Sequence, residues 1–272
     1  MRRIRIDDRR RSFPDLRELL RYRELIVLLG RRDITVRYRQ TILGTTWIFA
    51  GPIVSAGLFS FVFGRIASLP SGGVSYFVFS YAGLLTWNVF LNTLNGASSS
   101  LTGNSALITK IYFPRLVIPI SALASVVINA TISFGVMLVL IVFGDVGTNW
   151  HIVFLPVWLV LASVLAMGIG LLIAATSVWY RDVNYLTPLL TQLLLFLSPV
   201  AYSVAAVPAD IRNLYLLNPL ATLLELTRWS LLGESYVPPT WAIAYSVGWC
   251  LVAILLGVHI FTRRERGFAD VV

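Results

Sequence analysis

Four polar side chains recur at helical spacing in the middle of a long apolar stretch: Asn88, Asn92, Asn95 and Ser99. Their spacing of four, three and four residues places them on one face of a helix. Asparagine amides that faced lipid would lack hydrogen-bond partners, so this face is expected to meet another helix or water. Its chemistry is either hydrogen bonding between helices or the polar lining of a pathway, and the residues alone leave both open.

Aromatic side chains crowd the same region, among them Tyr81, Trp87 and Phe90. Membrane proteins place Trp and Tyr at the lipid–water interfaces, which accounts for several of the aromatic residues here. Aromatic faces also stack on sugar rings. The aromatic residues are therefore compatible with an interfacial belt and with a pathway for a glycan.

Glu225 and Arg228 are the two charged residues of an otherwise apolar run, and they are three residues apart. On a helix this spacing is close enough for an ion pair. The pair either anchors its segment, which is the commoner role of such pairs, or acts as a gate.

Motifs for the common catalytic chemistries are absent. The sequence has no GxxxxGK[ST] phosphate loop, and its only lysine, Lys110, follows a threonine, so the chain does not bind ATP by that route. His151 and His259 stand singly, without an HExxH motif or a Cys/His cluster for a metal. A membrane enzyme or a scaffold therefore lacks a nameable site and is the least favoured alternative.

The composition is that of a membrane protein. Hydrophobic residues make up 57% of the 272 residues and charged residues 13%, whereas an ordinary soluble domain has about a quarter charged residues. The mean hydropathy is +0.78, and several apolar runs exceed the ~20 residues that a helix needs to cross a bilayer. The predicted fold class is an all-α polytopic membrane protein, so the net charge of +9 does not indicate nucleic-acid binding.

Seven apolar runs can be traced, but the flanking charges indicate an even number of crossings. Thirteen arginines precede Thr41 and three follow the last run, so the positive-inside rule places both termini in the cytoplasm. The run at 214–233 is short, contains a proline and carries two charges, which are costly in mid-membrane. We therefore expect residues 208–233 to form a re-entrant helical hairpin on the outer side, before the last span. Six spans remain: 41–64, 76–103, 116–143, 152–179, 185–207 and 238–262.

This topology divides the chain into a cytoplasmic N-terminus (1–40), a transmembrane domain (41–262) and a cytoplasmic tail (263–272). The N-terminus is predicted to contain an amphipathic helix at the membrane interface, because four apolar residues share one face and the charged residues avoid it. The apolar four are Leu19, Tyr22, Ile26 and Leu29. A short packed cytoplasmic helix is the alternative.

The cytoplasmic turn between the second and third spans, "NSALITKIYFPR" at 104–115, is long enough for a short helix. Asn104 or Ser105 can cap its start, and Pro114 stops it. Its apolar side is formed by four residues: Leu107, Ile108, Ile111 and Tyr112. A helix of this kind fits a groove on a partner protein.

These segments together resemble the ABC-2 family of transport permeases, in particular the Wzm-type subunits that export O-antigen and other polysaccharides. Teichoic-acid export permeases are also similar. The resemblance covers nearly the whole chain, and four stretches carry it: "DITVRYRQTILGTTWIFAGPI" (33–53), "NSALITKIYFPR" (104–115), "SVWYRDVNYLTPLLTQLLLFLSPV" (177–200) and "LLNPLATLLELTRWSLLG" (216–233).

The resemblance implies a homodimer bound to two copies of a separate ATP-binding subunit. ATP and Mg²⁺ would be held by that partner, and this chain would bind no cofactor and no nucleic acid. The dimer would export a lipid-linked glycan across the bacterial cytoplasmic (inner) membrane, in contact with membrane lipids. An ABC-2 exporter of a drug or a small lipid is the alternative with the same fold.

The resemblance also implies roles for particular residues. The helix that couples the permease to the ATPase would comprise Asn104, Ser105, Leu107, Ile108, Lys110, Ile111, Tyr112 and Arg115. A second, smaller contact would be made by Tyr180, Arg181 and Asp182. The candidate channel-lining residues are Tyr81, Trp87, Asn88, Phe90, Asn92, Asn95 and Ser99. The outer gate would contain Glu225 and Arg228.

Overall fold

The computed structural model describes residues 16–38, 46–104, 107, 113–144, 146–147, 150–180, 182–233 and 236–265. Within these ranges the chain is helical, and its strand-free architecture agrees with the predicted fold class. The helices are α1 (Leu16–Arg21), α2 (Arg23–Tyr38), α3 (Trp47–Phe59), α4 (Tyr76–Ser98), α5 (Val117–Phe143), α6 (Leu155–Ser177), α7 (Val183–Phe196), α8 (Ala209–Tyr215), α9 (Pro219–Leu232) and α10 (Thr240–Arg264).

Five helical segments are long and apolar enough to cross a membrane: Trp47–Ile66, Tyr76–Ser98, Val117–Phe143, Trp150–Ser177 and Thr240–Arg264. The first joins α3 to a wider π-helical turn at Ser60–Ile66, and the fourth joins a 3₁₀ turn at Trp150–Phe154 to α6. They coincide with five of the six predicted spans. The protein is therefore a multi-pass membrane protein.

The span predicted at 185–207 is only partly helical. Its helix, α7, has 14 residues and ends at Phe196, so it is ~21 Å long and shorter than the ~30 Å apolar core of a bilayer. The helix ends there because Pro199 disfavours the helical conformation at Ser198 and has no N–H to continue the hydrogen bonding. Residues 197–203 form a turn instead, and a short 3₁₀ helix follows at Val204–Ala206.

The helix α4 lies at the centre of the fold. Most of its side chains are buried, and it packs against α3, α5, α6 and α9. The helices α6 and α10 also pack closely, because an added Cβ at Gly168 or Gly257 would overlap the backbone of the other helix. Small residues at such crossings allow the close van der Waals packing that holds helices together in membranes.

The N-terminal helices pack on the protein itself. The four apolar residues predicted to share one face meet protein, since Leu29 is buried and Leu19, Tyr22 and Ile26 pack against the same core cluster; the placement of this region at the membrane interface stays a prediction. The helix α2 lies along α5. Leu20, on the other side, is 68% exposed, so part of the apolar surface of this region stays available to lipid.

The segment predicted as a hairpin contains two helices, α8 and α9, joined by Leu216–Leu217–Asn218. Asn218 caps α9, because its side-chain oxygen accepts a hydrogen bond from the backbone N–H of Leu220 (3.1 Å). Almost all of α9 is buried between α4, α6 and α10. A short apolar helix with two charges is thus stabilised by protein rather than by lipid.

Candidate functional site

The polar face predicted on α4 divides between a cavity and the surface. Asn88 and Asn92 line a partly open cavity, whereas Asn95 and Ser99, one to two turns nearer the end of α4, are exposed. The face is therefore a continuous stripe that begins at the C-terminal end of the helix and leads to its middle.

The hydrogen bonds of this stripe stay within α4 in the part of the chain that the structure describes. The Asn92 amide donates to the backbone carbonyl of Asn88 (2.8 Å), and the Ser99 hydroxyl donates to the carbonyl of Asn95 (2.7 Å). Neither bond reaches another helix. Of the two interpretations left open by the sequence, hydrogen bonding between helices receives no support from these contacts.

The cavity has a volume of about 520 Å³ and lies between α3, α4 and α5. Ser55 on α3 and both Asn129 and Ser133 on α5 add polar groups to those of α4, and Trp47 and Leu85 contribute apolar surface. The volume falls within the ~300–1,000 Å³ typical of small-molecule sites. Chemically, the cavity can offer uncharged hydrogen-bond donors and acceptors beside an aromatic ring.

The three aromatic candidates are buried in the protomer. Tyr81 is 1% exposed and its hydroxyl donates to the carbonyl of Ser133 (3.2 Å), next to the cavity. Trp87 and Phe90 are also buried, with ring centroids 5.9 Å apart. They contribute to the core around α4, and their role in lining a channel stays a prediction.

Glu225 and Arg228 form the predicted ion pair, with 3.1 Å between Oε1 and Nη1 and both side chains fully buried. Arg228 also donates to two backbone carbonyls in the turn after α7, those of Val200 (2.6 Å) and Tyr202 (2.9 Å). Glu225 accepts from the backbone N–H of Val204 (2.9 Å). The pair therefore joins α9 to the segment where the predicted span stops being helical.

These bonds explain why two charges occur in an apolar helix. Backbone groups outside a helix need partners wherever water is excluded, and irregular backbone at membrane depth is tolerated only when protein surrounds it. Arg228 has the planar fork of donors to satisfy two carbonyls and a carboxylate together. The Phe79 ring lies 4.1 Å from its Cζ, which adds a cation–π contact, and Gly83 leaves the room that its Nη2 occupies.

Further hydrogen bonds tie the same turn to the α8–α9 unit. The Asn218 amide donates to the Ser198 hydroxyl (2.9 Å), and the hydroxyls of Tyr202 and Tyr215 share a hydrogen bond (2.8 Å). Burial, together with this bond, raises the pKa of the Tyr215 phenol, so Tyr215 stays neutral. This network was not predicted from the sequence. Two features of the sequence indicate it: the Ser-Pro pair that prevents α7 from continuing, and the polar residues of α9.

The turn predicted to be cytoplasmic is held at both ends by charged side chains from distant parts of the chain. Arg32 on α2 donates to the side-chain oxygen of Asn104 (2.6 Å), and Glu265 after α10 accepts from the backbone N–H of Arg115 (2.7 Å). Leu107 is half-buried and packs against the core cluster. The partners are 72 and 150 residues apart in sequence, so no local pattern indicated either contact.

Several predicted contact residues lie outside the described ranges: Ser105, Ile108, Lys110, Ile111, Tyr112 and Arg181. In the second predicted contact, Tyr180 is 65% exposed and Asp182 is exposed at the start of α7. These two side chains are thus accessible to a partner.

The chain belongs to the ABC-2 type transporter family, whose model matches residues 24–232. The family predicted from the sequence is confirmed, and with it the class of protein: a membrane transporter component rather than an enzyme. Three similar proteins match the chain along nearly their whole length.

The O-antigen export system permease protein RfbA of Myxococcus xanthus is 28% identical to this chain, over 94% of the chain and 98% of the relative. The polysialic acid transport protein KpsM of Escherichia coli is 23% identical, over 86% and 91%. The capsule polysaccharide export inner-membrane protein CtrC of Neisseria meningitidis is 22% identical, over 93% and 95%.

Proposed function

We propose that this chain is the permease subunit of an ABC transporter that exports a lipid-linked polysaccharide, an O-antigen-like glycan, across the cytoplasmic membrane. The observation that carries the proposal is the full-length similarity to permeases whose names specify O-antigen and capsule polysaccharide export. The chain itself adds a chemical argument. Between Arg65 and Lys110 no residue is charged, and a pathway without charge suits a neutral, hydroxyl-rich cargo that must bind weakly and move on.

Two copies of the chain would form the channel, and two copies of a separate ATPase would bind ATP and Mg²⁺ and drive the transport. The segment 104–115 would dock in the ATPase, with Tyr180 to Asp182 as a smaller contact. The bonds from Arg32 and Glu265 support this role, because a segment fixed at both ends can transmit a movement instead of yielding to it.

The proposed topology has six crossings with both termini in the cytoplasm. The helix α7 and the turn after it would make the fifth crossing together, and α8 and α9 would form the re-entrant hairpin on the outer side. Two hydrogen bonds support this arrangement, because they satisfy backbone groups without water: Arg228 donates to the carbonyl of Val200, and Glu225 accepts from the N–H of Val204. The same pair would belong to the outer gate.

The experiment that tests the function combines deletion of the gene with recovery of the protein's partners. Deletion is expected to abolish the surface polysaccharide, detected with a glycan-specific stain, and a plasmid copy is expected to restore it. The tagged protein, purified from native membranes in mild detergent, is expected to carry an ATPase with a Walker A sequence in equal stoichiometry. Unchanged surface glycan, or loss of resistance to a drug instead, would contradict the polysaccharide cargo.

A further inference from the structure

The cavity between α3, α4 and α5 is lined by an amide that has no partner among the residues that the structure describes. The Asn88 side chain lines the cavity, and within the described residues it makes no hydrogen bond; only its backbone carbonyl is used, by Asn92. The side chain is half-buried and faces a cavity that is partly open. Its amide is therefore available to bind water or a ligand that enters the cavity.

The position of Asn88 makes the observation informative. It is the thirteenth of 23 residues in α4, so it lies in mid-helix, far from both ends. Pro52, which also lines the cavity, has no N–H and removes the usual helical donor for the carbonyl of Ile48, another lining residue. Two neighbouring helices thus bring hydrogen-bonding groups to the same cavity.

The chemistry of the lining indicates the ligand. None of the described lining residues is charged, so an anionic phosphate finds no cation here. The polar groups are amides and hydroxyls, which donate and accept at once and therefore match the hydroxyls of a sugar. The indole of Trp47 provides a flat apolar face beside them.

We propose that this cavity binds one sugar unit of the exported glycan inside a single protomer. The proposal rests on the function proposed above and names the group that the transporter recognises. The stripe on α4 is its access route: Ser99 and Asn95 are exposed, and Asn92 and Asn88 follow at helical spacing into the cavity. A sugar chain can exchange hydrogen bonds along this route from one residue to the next.

Cysteine accessibility tests the proposal in the intact membrane. Ala130 on α5 lines the cavity, Asn213 on α8 is exposed and does not line it, and the native Cys250 is buried and is replaced by alanine in both variants. In cells that make no glycan, Ala130→Cys is expected to react with a small water-borne methanethiosulfonate reagent. In cells that make the glycan, its reaction is expected to slow several-fold, while Asn213→Cys is unchanged.

Equal reaction rates of Ala130→Cys with and without glycan would overturn the proposal, as would no reaction in either. Slow reaction in glycan-free phospholipid vesicles would assign the cavity to a lipid headgroup instead and would also overturn it. Surface glycan is stained in the same cells. If the Ala130→Cys variant restores export but shows no protection, this site fails while the proposed function stands. If deletion of the gene leaves the glycan in place, the proposed function itself fails.

A second variant separates a ligand-binding amide from a structural one. Because Asn88 makes no side-chain hydrogen bond to the described protein, Asn88→Leu is expected to keep the melting temperature of the purified protein while reducing export several-fold. Asn88→Gln, which keeps the amide, is expected to retain part of the export. A lowered melting temperature for Asn88→Leu with normal export would contradict the proposal.

Discussion

Arg228 of α9 donates a hydrogen bond of 2.6 Å to the backbone carbonyl of Val200, in the turn where the fifth predicted span stops being helical. The charged side chain in the apolar helix α9 is therefore the hydrogen-bond donor for non-helical backbone in an apolar span. The buried arginine gains hydrogen-bond acceptors and the non-helical backbone gains a donor. Glu225 neutralises the positive charge of the arginine.

The first prediction concerns the loss of this arginine. Arg228→Met leaves the buried Glu225 carboxylate without a counter-ion and two backbone carbonyls without this donor, so we expect a loss of about 3–5 kcal/mol in stability. Thermal melting in detergent and the amount of protein in the membrane measure it. Arg65→Met is the matched control, because Arg65 is exposed. Similar melting temperatures for the two variants would refute the role given to Arg228.

A lysine at the same position separates charge from geometry. Arg228→Lys keeps the positive charge, but a single ammonium group cannot reproduce the planar fork that reaches Val200, Tyr202 and Glu225 together. We expect a melting temperature between those of the wild type and Arg228→Met. If the lysine variant matches the wild type, the ion pair alone, without the carbonyl contacts, accounts for the stability.

The close approach of α6 and α10 predicts different effects of alanine at two glycines of α10. Gly257→Ala would place a methyl group against the backbone of Gly168, and such overpacking typically costs about 1–3 kcal/mol. Gly248→Ala, two and a half turns earlier, meets open space and is expected to be neutral or stabilising by up to about 1 kcal/mol. Melting curves of both variants test this difference. Equal melting temperatures would show that the helices do not pack closely at Gly257.

The bond between Arg32 and Asn104 predicts a loss of coupling without a loss of folding. The side chain of Arg32 is about half exposed and paired with Asp33, so Arg32→Ala should change stability by less than about 1 kcal/mol. If the turn at 104–115 transmits movement, the same change lowers export. Arg31→Ala, next to it and exposed, is the control and is expected to export normally. Equal export by both variants would contradict a role of the Arg32–Asn104 contact in coupling.

The proposed topology predicts which surface residues can be labelled from outside. In a background without Cys250, a cysteine at Asn213 on α8 is expected to react with an impermeant reagent in intact spheroplasts. A cysteine at Tyr180 is expected to react only after permeabilisation. Both positions are exposed, so accessibility depends on the side of the membrane alone. Labelling of both from the same side would contradict the six crossings.

The sequence by itself determined the class of fold and most spans. Length and hydropathy are properties of local runs, and a bilayer imposes a minimum length on them, so five helices were predicted close to their observed bounds. The family could also be recognised, because the segments that carry it are continuous. The face of α4 followed from spacing, since helical periodicity is local as well.

Only the tertiary structure decided what those faces meet. The spacing of Asn88 and Asn92 allowed a helix contact or a pathway, and the packing of α3 and α5 beside α4 shows that both side chains line a cavity. The pairing of Glu225 with Arg228 was predictable from three residues of separation, but their bonds to residues 200–204 join segments more than 20 residues apart. The contacts of Asn104 and Arg115 depend on both ends of the chain meeting at one turn, which is a property of packing and leaves no periodic signal in the sequence.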